Sequence, residues 1–323
     1  MLPASTIRFR AEMLAKARDF FAQRGIIEVD PCSLSPFPAI DSNIDVISAD
    51  VSSQQLGYLH TSPEYAMKRL LAAGCGDIYF LGHVFRQGEI GRLHNPEFTM
   101  AEWYRLGFSL DEMIHETCDF LSLFLGPLPL RKIGYREAFE SYAGIDYSRA
   151  PLEKLLEKAE PFGLSSEASS WTRDALVHFL LTHAIEPHFG DGELTVLIDY
   201  PPHEAALAQL IERDGEFVAE RFEVYCEGVE LSNGYHELPD AHELRRRFTE
   251  ENKLRAAAQK PVYPLDEAFL AALKPSFPDC CGVSVGFDRV LLLARKANAL
   301  SDVLPFTWTS TSTSEQSGCC APC

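Results

Sequence analysis

The sequence predicts an α+β fold in which antiparallel strands form a sheet flanked by helices. Three segments support this prediction. Residues 59–105 divide into a helix, a strand, a polar loop and a returning strand, 221–237 alternate as a β-hairpin does, and 280–294 pass from a buried strand into a helix. Because two of the three segments turn back after a short loop, the sheet is expected to be mainly antiparallel.

The first of these segments contains a clear helix start and a charged loop. Ser62 is followed by Pro63 and Glu64, and these residues favour a helix start because Pro needs no amide donor in the first turn and Glu favours the positive end of the helix dipole. The strand that follows the helix ends at Arg86. The loop over 87–97 contains glycine bends and basic side chains, which suits a hairpin that covers a charged ligand.

Composition and charge limit the kinds of function that are plausible. The 323 residues are 46% hydrophobic, enough for one large domain or two smaller ones. The formal charge of −18 repels phosphate backbones, so a nucleic-acid partner would need a local basic face. No apolar run has the length of a bilayer span, and the N-terminus is charged where a signal peptide is apolar. We therefore expect a cytoplasmic protein without a membrane partner.

The remaining elements follow from apolar spacing. We interpret 130–190 as a helical insertion between strands rather than a second core, within a catalytic domain over 1–308. The tail over 309–323 is rich in Ser, Thr and Cys and is expected to be disordered. Helices are predicted at 9–21, 110–125, 136–142, 151–159, 171–183 and 240–258, the last of them exposed and without chemistry, and strands at 26–29 and 194–200.

Two stretches of sequence resemble a known family. A strand that ends in Phe-Arg, a basic loop and a returning strand with Pro-Glu-Phe-Thr resemble motif 2 of the class II aminoacyl-tRNA synthetases. HTSPEYAMKRLL and HNPEFTMAEWYR are similar to the lysyl branch, and within it to the elongation factor P lysine ligases, which attach a β-lysine to a protein. Residues 9–29 resemble motif 1, the dimer interface of the family, and 280–289 resemble motif 3. The resemblance covers 7–306 and implies a class II synthetase-like catalytic domain that forms a homodimer.

The resemblance also implies an activity. It is that of an ATP-dependent ligase, which activates lysine or (R)-β-lysine as an acyl-adenylate and transfers it to a lysine side chain of elongation factor P. Ordinary lysyl synthetases carry an anticodon-binding domain ahead of the catalytic domain, whereas here the first motif begins near Ile7, so tRNA is not an expected partner. Two alternatives stay open: an activating enzyme with another acceptor, and a catalytically silent regulator.

For the nucleotide, the resemblance implies two catalytic arginines. Arg86 would contact the α-phosphate and Arg289 the far phosphates, and a guanidinium can engage two phosphate oxygens at once. The family motif has Glu two residues after the first arginine, where this chain has Gly88 and then Glu89. The carboxylate that meets adenine is therefore displaced by one position or replaced by a backbone contact. The full set of expected ATP contacts is Arg86, Gln87, Gly88, Glu89, Asn95, Glu230, Leu231, Gly286 and Arg289.

For the amino acid, a lysine-like substrate brings two ammonium groups, and each needs a carboxylate partner because an unpaired buried charge is costly. The resemblance implies Glu64 and Glu237 as these partners. The other expected contacts are Ser62, Pro63, Tyr104 and Ser284. Ser284 also lies in a G-x-S-x-G sequence, which suggests a serine hydrolase. That enzyme needs a histidine after the nucleophile, and the last histidine here is His242, so the hydrolase is disfavoured.

The hairpin over 221–237 predicts a metal site. A turn centred on Cys226 and Glu227 would place Glu223 across from Glu230, at about 5 Å on adjacent strands. Two facing carboxylates repel unless a cation lies between them, and Mg²⁺ prefers one or two carboxylates together with phosphate oxygens. The predicted metal ligands are therefore Glu223 and Glu230, with ATP and Mg²⁺ as cofactors. The alternative interpretation is an acidic, exposed strand face.

Overall fold

The computed structural model of the protein describes residues 3–164, 171–274 and 276–308. The tail over 309–323, predicted to be disordered, lies outside these residues. The α-helices are α1 (Ala4–Gln23), α2 (Glu64–Ala72), α3 (Leu110–Leu125), α4 (Tyr135–Ala138), α5 (Leu152–Ala159), α6 (Arg173–Leu180), α7 (Ala241–Ala257), α8 (Glu267–Ala272) and α9 (Phe287–Ala294). The strands are β1 (Ile27–Glu28), β2 (Leu34–Ser35), β3 (Ser48–Ser52), β4 (Gln55–Leu59), β5 (Ile78–Phe85), β6 (Glu97–Leu106), β7 (Leu130–Gly134), β8 (Leu194–Tyr200), β9 (Leu210–Arg213), β10 (Glu216–Cys226), β11 (Val229–His236) and β12 (Cys280–Gly286).

The chain groups into two compact units. Unit 1 comprises the described parts of 1–107, 239–280 and 284–323, and unit 2 comprises the described parts of 108–238 and 281–283. The predicted limits of the catalytic domain stay a prediction. Among the described residues, the helices are all too short or too polar to cross a bilayer.

Unit 1 is built on strands β5 and β6. They pair in antiparallel register from Ile78 opposite Tyr104 to Phe85 opposite Glu97, and β1 joins β5 in parallel. The order in this unit is β1-β5-β6-β12, beside a small sheet in the order β2-β4-β3. Helix α1 anchors on the sheet through Phe21, whose ring stacks on that of Tyr79 with centroids 4.1 Å apart. Aromatic burial therefore fixes α1 against the strands that carry the predicted loop.

A buried ion pair ties the loop strand to α9. Arg10 donates to the Asp288 carboxylate and to the Thr99 hydroxyl, both at 2.6 Å. The second Asp288 oxygen accepts the Thr99 amide at 2.7 Å, and Asp288 is only 2% exposed. Each oxygen of this carboxylate is thus paired, which offsets the cost of burying its charge. The network fixes the first turn of α9, in which Arg289 is the next residue.

Unit 2 is built on strands β7, β8, β10 and β11 and contains a hydrophobic core. Its strand order is β12-β11-β10-β8-β7, with β9 on β10; β10 is antiparallel to β8, β9 and β11, and β7 is parallel to β8. Helix α4 continues as a π-helical turn over Phe139–Ala143, and α6 continues as another over Leu181–Ile185. Buried aromatic and aliphatic side chains of these helices pack with the strands in one core. The predicted α+β fold, with a mainly antiparallel sheet and flanking helices, is confirmed.

The turn between β10 and β11 differs from the predicted one. The two loop residues are Glu227 and Gly228, with φ of 51° and 69°, and Cys226 pairs with Val229. Two consecutive positive φ values match the tight turns that suit the twist of a hairpin, and glycine adopts one of them without strain. A register shift between Val224 and Tyr225 moves the pairing again. The predicted turn, centred on Cys226 and Glu227, is therefore wrong.

Gly190 offers a test of how this turn is held within unit 2. Its φ is +78°, and a Cβ there would lie 2.4 Å from the Cys226 Cα and 2.7 Å from the Glu227 amide nitrogen. Gly190→Ala should lower the free energy of unfolding by about 3 to 5 kcal/mol, since backbone overlap adds to the left-handed conformation. Urea denaturation measures the loss.

The matched control is Gly192→Ala. Gly192 has a similar φ of +70°, but its added Cβ would meet nothing within 4 Å. It should cost only about 1 to 2 kcal/mol, the conformational part alone. Equal losses in the two variants would show that contact with the hairpin turn does not matter.

Candidate active site

Arg86 lies at the end of β5, where its backbone is held on both sides. Its amide donates to the Pro96 carbonyl at 2.8 Å, and the next amide, of Gln87, donates to the Asp45 carbonyl at 2.8 Å. The guanidinium lies 5.1 Å above the Phe98 ring and 3.6 Å from the Glu89 carboxylate. Its Nε is buried and has no hydrogen-bond partner among the residues that the structure describes. A fixed guanidinium with spare donors is suited to an anionic ligand.

The loop after Arg86 returns through a bridge between Gly91 and His94. Asn95, predicted to contact ATP, is 8% exposed; its side chain donates to the Glu97 carbonyl at 2.6 Å and accepts the Trp308 amide at 3.0 Å. In this structure the Asn95 amide thus holds the base of the loop. Gly88 has φ of +80°, a conformation that a glutamate at this position would rarely adopt.

Arg289, the second predicted catalytic residue, lies against the same loop. Its guanidinium is 2.8 Å from the His94 Nε2 and donates from Nε to the Leu93 carbonyl at 3.4 Å. Burial lowers the pKa of His94, and the charges of Arg289 and Arg86 lower it further. His94 is therefore neutral and accepts from Arg289. Arg289 contacts His94, and the charge of Arg86 also lowers the pKa of His94. The structure therefore brings the two predicted catalytic residues to one loop.

Ser284 and Gly286 occupy the half-exposed positions of β12, between buried neighbours. They share one face of the strand, as residues two apart do. Ser284 lies inside the strand, and α9 begins only at Phe287. A hydrolase nucleophile sits on the sharp turn between strand and helix, so the hydrolase alternative is wrong.

A second group of predicted residues meets at the start of α2. Pro63 is the N-cap residue, and the Ser62 hydroxyl accepts the Glu64 amide at 3.0 Å. The Glu64 carboxylate accepts from the Lys68 ammonium at 2.6 Å, and the Lys68 side chain is 1% exposed. Glu64 is therefore already paired with a cation, and its side chain is only 18% exposed.

Glu102 lies at the centre of this group, and the sequence analysis did not select it. One of its carboxylate oxygens accepts the Ser62 hydroxyl at 2.7 Å, and the other accepts the Tyr104 hydroxyl at 2.9 Å. Burial raises the pKa of Glu102 to about 8, and the nearby Glu64 charge adds to the shift. Glu102 could have been found as the acid in the middle of β6, among apolar residues, because a buried carboxyl without a function is rare.

The remaining predicted residues belong to unit 2. Glu223 pairs with Asn233 and Glu230 with Tyr225, so the predicted placement of Glu223 directly across from Glu230 is wrong. The reason is the shifted turn together with the irregularity in β10. Glu230 is half-buried, Leu231 is 1% exposed and Glu237 is 2% exposed, and the Glu237 carbonyl accepts the Gln209 amide at 2.9 Å.

The Glu223 carboxylate is enclosed by other partners. It accepts from the Arg221 guanidinium at 2.6 Å and from the Tyr225 hydroxyl at 2.5 Å. The Arg221 guanidinium also lies 4.3 Å above the Tyr200 ring. Within the described residues, no three His, Cys, Asp or Glu side chains are grouped closely enough to hold a metal ion. The role of Glu223 as a metal ligand stays a prediction, and these partners surround its carboxylate in this structure.

Comparison with protein families supports the same assignment as the motifs. The family model for class II tRNA synthetases (D, K and N) matches residues 3–310. Curated proteins named elongation factor P--(R)-beta-lysine ligase are similar along nearly their whole length. The one from Haemophilus ducreyi is 42% identical over 306 residues, which cover 93% of both chains. That from Photorhabdus laumondii is 43% identical over 93% of this chain and 94% of its own, and that from Klebsiella pneumoniae is 43% identical over 94% and 95%.

The buried carboxyl of Glu102 predicts a pH dependence of stability. In the folded protein it keeps its proton up to a pKa of about 8, whereas the unfolded chain releases it near the ordinary value of 4.5. Stability should therefore fall between pH 5 and 8, by up to about 1.4 kcal/mol per pH unit. Glu102→Gln should flatten this dependence and be more stable than wild type near pH 8, as urea denaturation at several pH values would measure. Glu12→Gln, at an exposed position of α1, is the control and should keep the wild-type slope.

Proposed function

Because the chain belongs to the class II tRNA synthetases of the D, K and N type, and within them to the elongation factor P--(R)-beta-lysine ligases, we propose that it is an ATP-dependent ligase for elongation factor P. It activates (R)-β-lysine or lysine and transfers it to a lysine side chain of that factor. The observation that carries this proposal is the identity of 42–43% over at least 93% of the chain with ligases of that one name.

The first step forms an acyl-adenylate. The substrate carboxylate attacks the α-phosphorus of ATP, a new oxygen–phosphorus bond forms, and the bond to the β-phosphate breaks to release pyrophosphate. Arg86 stabilises the charge that develops on the α-phosphate, and Arg289 holds the far phosphates after it leaves His94. The Arg86 Nε, which is buried and has no hydrogen-bond partner among the described residues, supports this assignment.

In the second step the acceptor amine attacks the acyl carbon and AMP leaves. The new bond is an amide, and the proton from the amine is released. No covalent bond to the enzyme is needed in either step, so catalysis consists of placing the reactants and stabilising charge.

The other nucleotide contacts come from the loop and from β12. Gln87, Gly88 and Glu89 face the adenine side, together with Gly286, and Asn95 contacts the nucleotide once it exchanges its present partners. At Gly88 the contact is a backbone one, because the side chain is absent. Glu230 and the Leu231 backbone are the other proposed nucleotide contacts.

The amino-acid pocket recognises ammonium groups through carboxyls. Glu102 lies between the hydroxyls of Ser62 and Tyr104, and its loss of a proton creates a partner for a cationic side chain. Glu64 and Glu237 supply further carboxylates, and Ser284 sets the space that is left for the substrate. A substrate with an uncharged side chain brings no positive charge that would favour the ionised form of Glu102.

Mg²⁺ would neutralise phosphate charge when bound with ATP. Glu230 is the carboxylate that fits this ion, because one carboxylate with phosphate oxygens and water is a common magnesium environment. Glu223 would first have to leave Arg221 and Tyr225. We also propose that the protein forms a homodimer through the motif 1 segment, acts in the cytoplasm and does not use tRNA.

The proposal is tested with purified protein, ATP, (R)-β-lysine and elongation factor P. The factor should gain the mass of one β-lysyl group, with release of AMP and pyrophosphate, as intact-protein mass spectrometry would measure. In one parallel reaction lysine replaces β-lysine, and in another tRNA replaces the factor. Acylation of tRNA but not of the factor would reject the acceptor, and a lack of any amino-acid-dependent pyrophosphate exchange would favour a silent regulator.

Arg86→Ala tests the first step by itself. Pyrophosphate exchange should fall by at least about 100-fold, because a fixed positive charge on the transition state is lost. The far-UV circular dichroism should stay unchanged, since the side chain is only partly buried. Arg245→Ala, which removes an exposed ion pair with Glu267 on the same unit, is the control and should keep wild-type exchange. Unchanged exchange in Arg86→Ala would remove Arg86 from its role.

A further inference from the structure

We infer that Arg255 of α7 is a positioning residue for Arg86, acting through the backbone of Asp45. The inference rests on the proposed function, because it assigns Arg86 to the α-phosphate. Helix α7 was predicted to be exposed and without chemistry. The structure instead buries Arg255 completely, at 0% exposure. A buried guanidinium needs partners for its donors, and these partners identify what it holds.

The guanidinium contacts one short segment, 41–45, and also Pro261, which follows the end of α7. It donates to the carbonyls of Asp41, Ile44 and Pro261 and to the Asp45 carboxylate, at 2.8, 3.1, 2.7 and 2.9 Å respectively. Its carbon atom also lies 4.1 Å above the Tyr263 ring. Such a planar fork fixes several backbone carbonyls at once, which a lysine ammonium on a flexible stem does not do.

A second cation strengthens the hold on Asp45. The Lys260 ammonium donates to the Ser42 carbonyl at 3.0 Å and lies 3.2 Å from the other Asp45 oxygen. Burial alone would raise the pKa of Asp45, but hydrogen bonds from Lys260 and Arg255 hold it below its ordinary value. Asp45 is therefore ionised, and the contacts of its carboxylate with Arg255 and Lys260 hold its main chain in place.

The carbonyl of Asp45 is the link to the catalytic loop. It accepts the Gln87 amide at 2.8 Å, directly after Arg86, while the Arg86 amide donates to Pro96 at 2.8 Å. These two backbone bonds enclose Arg86. Its side chain has weaker constraints, since its nearest carboxylate oxygen, on Glu89, is 3.6 Å away. The direction of the Arg86 guanidinium is thus set mainly by its backbone, and hence by the segment that Arg255 holds.

The other end of the same segment is held separately. The Ile40 amide donates to the Tyr65 hydroxyl at 3.2 Å, and the Tyr65 ring stacks on Phe269 at 4.3 Å. Tyr65 follows Glu64 in α2, so the amino-acid pocket has its own anchor. A change at Arg255 should therefore act on the phosphate step more than on amino-acid binding.

The test is Arg255→Lys, measured by β-lysine-dependent pyrophosphate exchange. Because a small misplacement of a catalytic group is costly, kcat should fall by about tenfold to a hundredfold. The KM for β-lysine should stay within about twofold of wild type. A merely structural role would instead reduce the folded fraction, with kcat per folded molecule and both KM values unchanged. Urea denaturation gives that fraction for each variant.

The matched control is Arg173→Lys in unit 2. Arg173 also donates to two backbone carbonyls, those of Tyr147 and Ala150, at 2.7 and 2.6 Å. It should lose stability but keep its kcat per folded molecule. If Arg255→Lys does not fold, Asp45→Asn takes its place. This variant keeps the Asp45 carbonyl but removes the charge that Arg255 holds, and its kcat should fall about threefold to tenfold.

The outcomes separate the inference from the proposed function. Wild-type protein without exchange that depends on β-lysine or on lysine would reject the function. Wild-type exchange together with a kcat in folded Arg255→Lys equal to wild type would overturn the inference. A loss of kcat that Arg173→Lys shares, or an equal rise in the KM for ATP and for β-lysine, would overturn it as well.

Discussion

The ion pair between Arg10 and Asp288 is the constraint on which the arrangement of unit 1 depends. It joins a helix near the N-terminus to a helix almost 280 residues later, and the same arginine holds Thr99 on the loop strand. The carboxylate is almost fully buried, so loss of its cation would leave an uncompensated charge in the interior. The strand that carries Thr99 and the helix that carries Arg289 are therefore held together by one buried ion pair. Arg289 follows Asp288 directly, so this buried ion pair holds the backbone from which the Arg289 side chain reaches His94.

The sequence predicted most of the local structure, because caps and apolar periods are local. Helix α3 and strand β8 have the predicted bounds, 110–125 and 194–200. It also brought Ser62, Glu64 and Tyr104 together. It could not give the register of β10 on β11, since one extra residue at an irregular position changes every later pairing. It also gave no reason to bury Arg255, whose partners in 41–45 lie more than 200 positions earlier.

The hairpin of unit 2 illustrates how a buried carboxylate can be satisfied in more than one way. Spacing suggested a cation between Glu223 and Glu230, and a cation is indeed present beside Glu223, but it is the guanidinium of Arg221. Arginine two residues away on the same strand faces the same side, so the pair forms within one strand. The hydroxyl of Tyr225 completes the carboxylate. Acidic pairs in a sequence therefore predict a positive partner more securely than they predict a metal.

Lys68 and Glu64 cancel each other's charge beside a protonated Glu102, so this group of three side chains carries no net charge. Under the proposed function, a cationic substrate meets a neutral group, and loss of the Glu102 proton creates a negative partner for it. Occupancy by a basic amino acid would then depend on the acidity of the medium as well as on shape.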